Sequence, residues 1–349
     1  MTATRNRVQL SAATRHALCF VPWVLAACSG FQSALDPKGP RAADVARLHW
    51  TLTSIATVVY IVVIGALLFA LWRASTRAPF VDEHQYHENP DQAATMKRGV
   101  IIGLTATVII LTVFLVLSVS TGAAVATVRG EKPLRIDVVG HQWWWEVTYD
   151  DPIPQNQAKT ANEIHVPVGR SVLLKMRSSD VIHSFWAPNL SGKKDLIPGH
   201  ETITWFRADT AGVYRGQCAE FCGHQHAKMA FYIVAEPRLE FEKWLDHQRG
   251  PAPRPTDSLT QTGERVFLSG PCAMCHTISG TGAGGNIGPD LTHLASRRTI
   301  AAGTLPLTTG NLAGWILDPQ SIKPGAKMPP NQIDPPALQA LLAYLGTLK

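Results

Sequence analysis

The residues best suited to chemistry fall in two clusters. The stretch C-A-E-F-C-G-H-Q-H-A-K-M holds Cys218, Cys222, His226 and Met229, and His183 lies earlier in D-V-I-H-S-F-W. Two thiolates, two imidazoles and a thioether form a soft donor set that suits copper. The cysteines are four apart, too wide for a redox C-x-x-C, but one turn of loop can aim both sulfurs at a single point. Two bridging thiolates hold two coppers close enough to share one electron, whereas a mononuclear blue-copper site takes a single cysteine. Two other readings use the same residues. A Cys218–Cys222 disulfide suits an oxidising compartment but leaves the His and Met spacing unexplained. Tetrahedral zinc on Cys218, Cys222, His183 and His226 leaves Met229 idle.

The second cluster is C-A-M-C-H, the pattern of c-type haem attachment. Cys272 and Cys275 are placed for thioether bonds to the porphyrin, and His276 for the iron. The opposite axial position falls to Met328 in K-P-G-A-K-M-P-P, because Met274 is trapped inside the attachment loop and no other Met follows. His293 is the rival ligand, and a core Met under a loop is the plainer alternative for Met328. His/Met ligation raises the reduction potential, as an electron carrier feeding copper requires. A chance match and a zinc knuckle are the other readings of C-A-M-C-H, and an export signal disfavours both.

Each cluster needs a scaffold. Around the copper-type residues the pattern is short apolar alternation, L-R-I-D-V-V, E-I-H-V-P-V, S-V-L-L-K-M and E-T-I-T-W-F, broken by Gly, Pro, Asn and Asp. Strands at this spacing predict a β-sandwich or barrel. A short helix, E-P-R-L-E-F-E-K-W-L-D, and a proline-rich linker, H-Q-R-G-P-A-P-R-P-T-D, follow, and a stiff linker predicts a separate domain beyond it. That domain reads as helical near Leu259–Leu268, near Asn311–Leu317 and over D-P-P-A-L-Q-A-L-L-A-Y-L-G-T-L, with Leu338, Leu341, Leu342 and Leu345 on one face.

Length and composition bound the rest. The chain has 349 residues, enough for two or three folded units. Only 17% of residues are charged, against ~25% in soluble proteins. Residues 16–35, 48–72 and 99–128 contain no Asp, Glu, Lys or Arg. The last two runs are each long enough to cross a bilayer, and together they make a hairpin. The first follows Arg5, Arg7 and Arg15 and reads as a secretory signal. L-A-A-C-S resembles a lipoprotein cleavage box with Cys28 as the lipidated residue. Lys and Arg counts beside the spans do not decide orientation. The signal does: it exports the new N-terminus, and two spans return the C-terminal part to the outer face. The net charge of +6 is spread without a basic stripe, which argues against nucleic acid. Residues 247–349 carry only 13 charged side chains, which suggests a carrier held by its tether more than by electrostatic steering.

With G-H-Q-W-W-W, D-V-I-H-S-F-W and the copper loop, the chain resembles subunit II of haem-copper cytochrome c oxidases from the hairpin to about residue 246. The resemblance implies a cupredoxin-like CuA domain with ligands His183, Cys218, Glu220 through its carbonyl, Cys222, His226 and Met229. It implies electron entry at Trp143 and magnesium at the Glu220 carboxylate. Trp144 and Trp145 read as packing residues, and His141, His165, His200 and His224 match no ligand. The region A-T-M-K-R-G-V-I-I-G departs from the family, whose relatives commonly carry an acidic residue with I-W-T there for proton entry. Glu88 and Asp91 are the nearby carboxylates. The C-terminal part resembles a class I bacterial cytochrome c, and I-G-P-D-L places Pro289 near His276.

The expected architecture is a multidomain membrane protein. It has a signal peptide (1–27), an external segment (28–47), a two-helix transmembrane hairpin (48–128), an all-β CuA domain (129–246), a linker (247–258) and an all-α cytochrome c domain (259–349). The fusion resembles caa-type oxidases of the bacterial cytoplasmic membrane. It implies subunits I and III as partners, and an upstream cytochrome c or quinol-cytochrome c reductase as donor. The rival readings are the input subunit of a nitric oxide reductase that uses CuA, and a membrane-tethered copper-binding protein. The second needs no haem, and the quinol oxidase branch lacks the copper ligands.

Overall fold

A computed structural model of the chain describes residues 31–75, 90–130 and 132–349. The signal sequence, Cys28 and Glu88 lie outside the described residues. Residues 43–128 form one body, and residues 129–349 with the segment leading to Ala42 form another.

The first body consists of two long helices, α1 (Pro40–Ser75) and α2 (Pro90–Ala126). α1 extends past its uncharged run at both ends, and α2 begins before its run and ends within it. Their candidate spans have mean hydropathy 2.6 and 2.9, and none of the apolar window is buried within the protein. Hydroxyls along the helices satisfy themselves locally, as Thr57 Oγ1 donates to the Thr53 carbonyl at 2.8 Å and Thr112 Oγ1 to Val108 at 2.8 Å. This is how polar side chains are tolerated where water is absent. Asp91 sits in the first turn of α2.

The second body begins as a β-sandwich. One sheet runs in the order β3 (Ala158–Ala161), β2 (Trp144–Tyr149), β1 (Leu134–His141), β5 (Val172–Ser178), β8 (Thr202–Phe206). The other runs β4 (Glu163–Pro167), β10 (Ala230–Glu236), β9 (Gly212–Cys218), β6 (His183–Trp186), β7 (Lys194–Leu196). The alternation seen in the sequence is the inside-outside alternation of each strand: Ile136 and Val138 of β1, Leu174 and Met176 of β5 and Ile233 of β10 are fully buried. Trp145 fills the centre, edge-on to Phe185 and Phe231 at 5.9 and 5.4 Å. α3 (Arg238–Gln248) closes one end and places Trp244 against Tyr149.

Residues 258–349 are mainly helical: α4 (Ser258–Ser269), α5 (Cys272–Cys275), α6 (Thr309–Leu317), α7 (Pro319–Ile322) and α8 (Pro335–Thr347). Three of the starts are written in the sequence. Asp257 accepts from the Leu259 and Thr260 amides, Thr308 from Asn311, and Asp334 from Ala337 with Pro335 following. α4 crosses α8 at Gly263, where a Cβ would stand 2.0 Å from the Ala340 carbonyl. Tyr344 therefore joins Leu341 and Leu345 on the buried face, while Leu338 and Leu342 are only partly covered. The linker does not hang free: Ala252 donates to the Ser279 carbonyl at 3.0 Å, and His293 Nε2 reaches the Gly250 carbonyl at 3.1 Å.

Candidate metal centres and the contact between them

Strand β9 ends at Cys218, and the turn that follows returns as β10 after Met229, so one connection carries four of the five side-chain donors. β6, hydrogen-bonded to β9 in the same sheet, delivers His183. The Cys218 and Cys222 sulfurs stand 3.7 Å apart, two free thiols and not a disulfide. His183 Nδ1 lies 3.9 Å from Cys218 Sγ, and His226 Nδ1 lies 3.6 Å from Cys222 Sγ. Met229 Sδ is 3.8 Å from Cys222 Sγ, and the Glu220 carbonyl oxygen is 3.2 Å from Cys218 Sγ. All the donors named in the sequence thus converge, Met229 included, which a four-coordinate zinc site would leave out.

The cage is buried except at His226, which is half-buried, and it is oriented from behind. Cys218 and Cys222 are 2% exposed, and His183 and Met229 are fully buried. His183 presents Nδ1 to the sulfurs because its Nε2 is held by Asp180 Oδ1 at 2.8 Å. Gly140 makes room for that ring, since a Cβ there would meet His183 Cδ2 at 2.8 Å. Burial disfavours a charged imidazolium, but Asp180 and Cys218 outweigh it and hold the His183 pKa above its ordinary value. Burial also acts against the Asp180 carboxylate, yet His183 and the Gln142 and Val181 amides pull its pKa down to about 2. The adjacent thiols share one charge. A hydrogen bond from Cys222 pulls the Cys218 thiol down to about 3, and the resulting thiolate pushes Cys222 far up. A second thiolate in this space requires cationic charge beside it, which is the condition two bridging thiolates around copper would meet.

Cys272, Met274, Cys275 and His276 of C-A-M-C-H line a cavity of about 290 Å³ together with Met328, Leu312, Ile316 and Leu345. His276 Nδ1 bonds the Pro289 carbonyl at 2.7 Å, which fixes the ring and leaves Nε2 for a metal. Gly288 lies so close that a Cβ there would stand 2.5 Å from His276 Cε1. Met328 lines the same cavity, and its carbonyl is fastened by Gln320 Nε2 at 2.8 Å. His293, the rival axial ligand, is spent elsewhere: Nδ1 reaches the Lys349 carbonyl at 2.8 Å and Nε2 the Gly250 carbonyl. Arg297 is a cavity residue that the motifs do not reveal. It lines the cavity, its guanidinium donates to the Asp290 carbonyl, and its buried Nε has no partner. An orphaned cationic donor in an apolar crevice fits an anionic edge on the bound group, as the carboxylates of a haem provide.

The two sites face one another. Trp143 and Trp144 line the same cavity as His276, and Trp143 Nε1 donates to the Cys222 carbonyl at 2.9 Å. Trp144 also stacks on His141 at 4.3 Å, while Trp145 is a core residue. Lys323, 3% exposed, donates to the Trp143 carbonyl at 2.6 Å, and burial pushes its ammonium pKa down to about 7. Glu220 turns its carboxylate outward to Lys193 at 3.2 Å. His165 lies between Glu163 and Glu236 and does not line the His276 cavity, and His200 and His224 are exposed.

An apolar helix pair, a cupredoxin-like sandwich with a two-thiolate donor cage and a helical module around C-A-M-C-H define a membrane-anchored chain with two redox-type sites. The sequence matches the family described as "Cytochrome C oxidase subunit II, periplasmic domain" over residues 152–236 and the family "Cytochrome c" over residues 260–349. It is 35% identical over 344 residues to cytochrome c oxidase subunit 2 of Alkalihalophilus pseudofirmus, covering 95% of this chain and 96% of that one. It is 29% identical over 350 residues to cytochrome c oxidase subunit 2 of Bacillus subtilis, covering 95% and 96%. Among solved structures, the periplasmic domain of subunit II of cytochrome oxidase from Bradyrhizobium japonicum shares 31% identity over 34% of this chain and 96% of that one, with a TM-score of 0.32. The chain belongs to the cytochrome c oxidase subunit 2 family, in the form that carries a fused C-terminal cytochrome c domain.

Proposed function

We propose that the chain is the electron-input subunit of a respiratory haem-copper oxidase of the caa type. In this reading it sits in a bacterial cytoplasmic membrane with both soluble parts on the outer face, beside subunits I and III. The observation that carries the reading is the position of Trp143, whose indole is bonded to the Cys222 carbonyl while its ring lines the His276 cavity. His183, Cys218, Glu220 through its carbonyl, Cys222, His226 and Met229 would hold dinuclear copper. Cys272, Cys275, His276 and Met328 would hold haem c. When bound, these groups supply one-electron transfer, taking electrons from a cytochrome c or a quinol-cytochrome c reductase and delivering them to haem in subunit I, where oxygen is reduced to water.

The chain's own residues set the conditions for that chemistry. Asp180 and the Pro289 carbonyl fix the tautomers of His183 and His276, so each ring offers one nitrogen. Burial of the thiols excludes water and lowers the reorganisation that one-electron transfer would otherwise demand. A magnesium role for the Glu220 carboxylate and lipidation of Cys28 rest on the sequence resemblance alone. Metal analysis of the purified complex tests the assignment: two coppers and one covalent haem per chain are expected, with turnover on oxygen. Turnover on nitric oxide and none on oxygen would move the chain to the reductase reading.

A further inference from the structure

The connection that carries the copper-type donors and the segment that leads to Met328 are bonded to each other from both sides. From the helical part, Lys323 Nζ donates to the Trp143 carbonyl at 2.6 Å and to its own Ala301 carbonyl at 3.2 Å. From the sandwich, Gln225 Nε2 donates to the Pro324 carbonyl at 2.7 Å, and Lys228 Nζ donates to the Ile322 carbonyl. Lys327 Nζ stands 3.9 Å from Asp180, the carboxylate that holds His183. Gln225 lies next to His226, Lys228 next to Met229, and Lys327 next to Met328. Three of the four crossings are therefore made from beside a residue assigned to a metal, and the fourth, from Lys323, ends on Trp143.

We propose that Lys323, Gln225 and Lys228 form a clasp that locks the haem-bearing part onto the copper-bearing part at Trp143, so that electrons cross within a fixed docked geometry and not by encounters on a tether. Lys323 is a positioning residue: it borders the His276 cavity, but its ammonium is bonded to the Trp143 and Ala301 carbonyls, and it acts through the Trp143 backbone. Gly325 lies beside the Trp143 ring in the same segment, and its left-handed backbone is the conformation that favours glycine. A buried ammonium whose acceptors are two neutral carbonyls is a poor choice for stability alone. It is better explained by specification of one docking register. The inference rests on the functional reading above, because electron transfer is what the register would serve.

The test uses the purified oxidase complex with Lys323→Met, which keeps length and removes the donor. A ruthenium photoreductant loads the haem, and copper reduction is followed by its near-infrared band at several solvent viscosities. In the wild type, haem-to-copper transfer is expected to be independent of viscosity. In Lys323→Met it slows about tenfold or more, the scale on which small misplacements act, and becomes viscosity-dependent, while photoreduction of the haem and both metal spectra stay unchanged. Equal rates in the two proteins, or a viscosity-dependent wild type, would overturn the clasp. Amide exchange over residues 322–326 provides a readout that needs no metal: protection should fall in the variant, and unchanged protection also counts against the clasp. If Lys323→Met does not assemble, the exposed Lys228→Met is expected to give a smaller change in the same direction, and no change would overturn the proposal. A wild-type complex without its copper and haem would instead overturn the functional reading, with the exchange result still deciding the clasp.

Discussion

Around Cys222 the Cys218, His226 and Met229 donor atoms stand within 4 Å of its sulfur, at the rim of a sandwich that packs Ile136, Val138, Leu174 and Phe231 by itself. Around His276 the situation is reversed, because Leu312, Ile316, Leu341 and Leu345 belong to the helical core and also line the cavity. The copper-type donors Cys218, Cys222 and Met229 pack into one end of the sandwich core, whereas the haem-type site is lined by the residues at the middle of the helical core. Burial of apolar side chains contributes ~1.5–3 kcal/mol each when complete, and residues that face a cavity lose part of it. The two halves should therefore depend on their prosthetic groups to different degrees.

The largest effect is expected from the double change Cys272→Ala and Cys275→Ala. Without covalent haem the helical part should lose its packed core, so limited proteolysis should remove residues 258–349 while the sandwich stays intact with its copper absorption. Equal protease resistance in wild type and variant would show that the helical core stands alone, and the contrast would collapse. Next is Cys222→Ser, which leaves one bridging sulfur. The mixed-valence copper signal in electron paramagnetic resonance should be lost entirely, with the haem band and the far-ultraviolet circular dichroism unchanged. A retained signal would refute the ligand assignment. Met328→Ala is a milder break, since the thioethers and His276 remain. The haem should stay attached and its potential should fall by a sizeable share of the ~0.8 V over which axial ligands act; an unchanged potential in spectroelectrochemical titration would move the axial role to another residue.

The sequence displays the donor residues openly because their chemistry is unusual and their spacing short: four copper-type donors in twelve residues, three haem residues in five. The strands and helices are legible for a similar reason, through alternation and caps such as Asp257 and Asp334. What the sequence hides is contact across distance. Lys323 and Trp143 are 180 residues apart, and the proline-rich linker points to a tethered carrier, while the structure holds the two parts together by direct hydrogen bonds. Arg297 is hidden for another reason, since an Arg pair on a loop normally reads as a solvated face. Asp180 leaves a trace, standing three residues before His183, but an acidic residue before a strand is too common to single out.

The smallest expected effect concerns the sandwich alone and separates its stability from its metal chemistry. His165 stacks on Trp244 at 4.1 Å and sits between Glu236 at 2.9 Å and Glu163 at 3.1 Å. Burial opposes its charge, but hydrogen bonds to the two carboxylates outweigh that and raise its pKa in the folded protein. A raised folded pKa means that the stabilisation is complete below the unfolded value of ~6.5 and is lost as pH rises through the folded value. His165→Gln should therefore lower the melting temperature of the sandwich most at pH 6, and the gap to wild type should close as the pH approaches 9. Each pKa unit of linkage corresponds to ~1.4 kcal/mol, and each kcal/mol to ~2–4 °C in a body of this size, so a gap of a few degrees is the scale to detect by thermal unfolding. A gap that stays constant or widens with pH would mean that His165 serves the sandwich through packing on Trp244 and not through its charge.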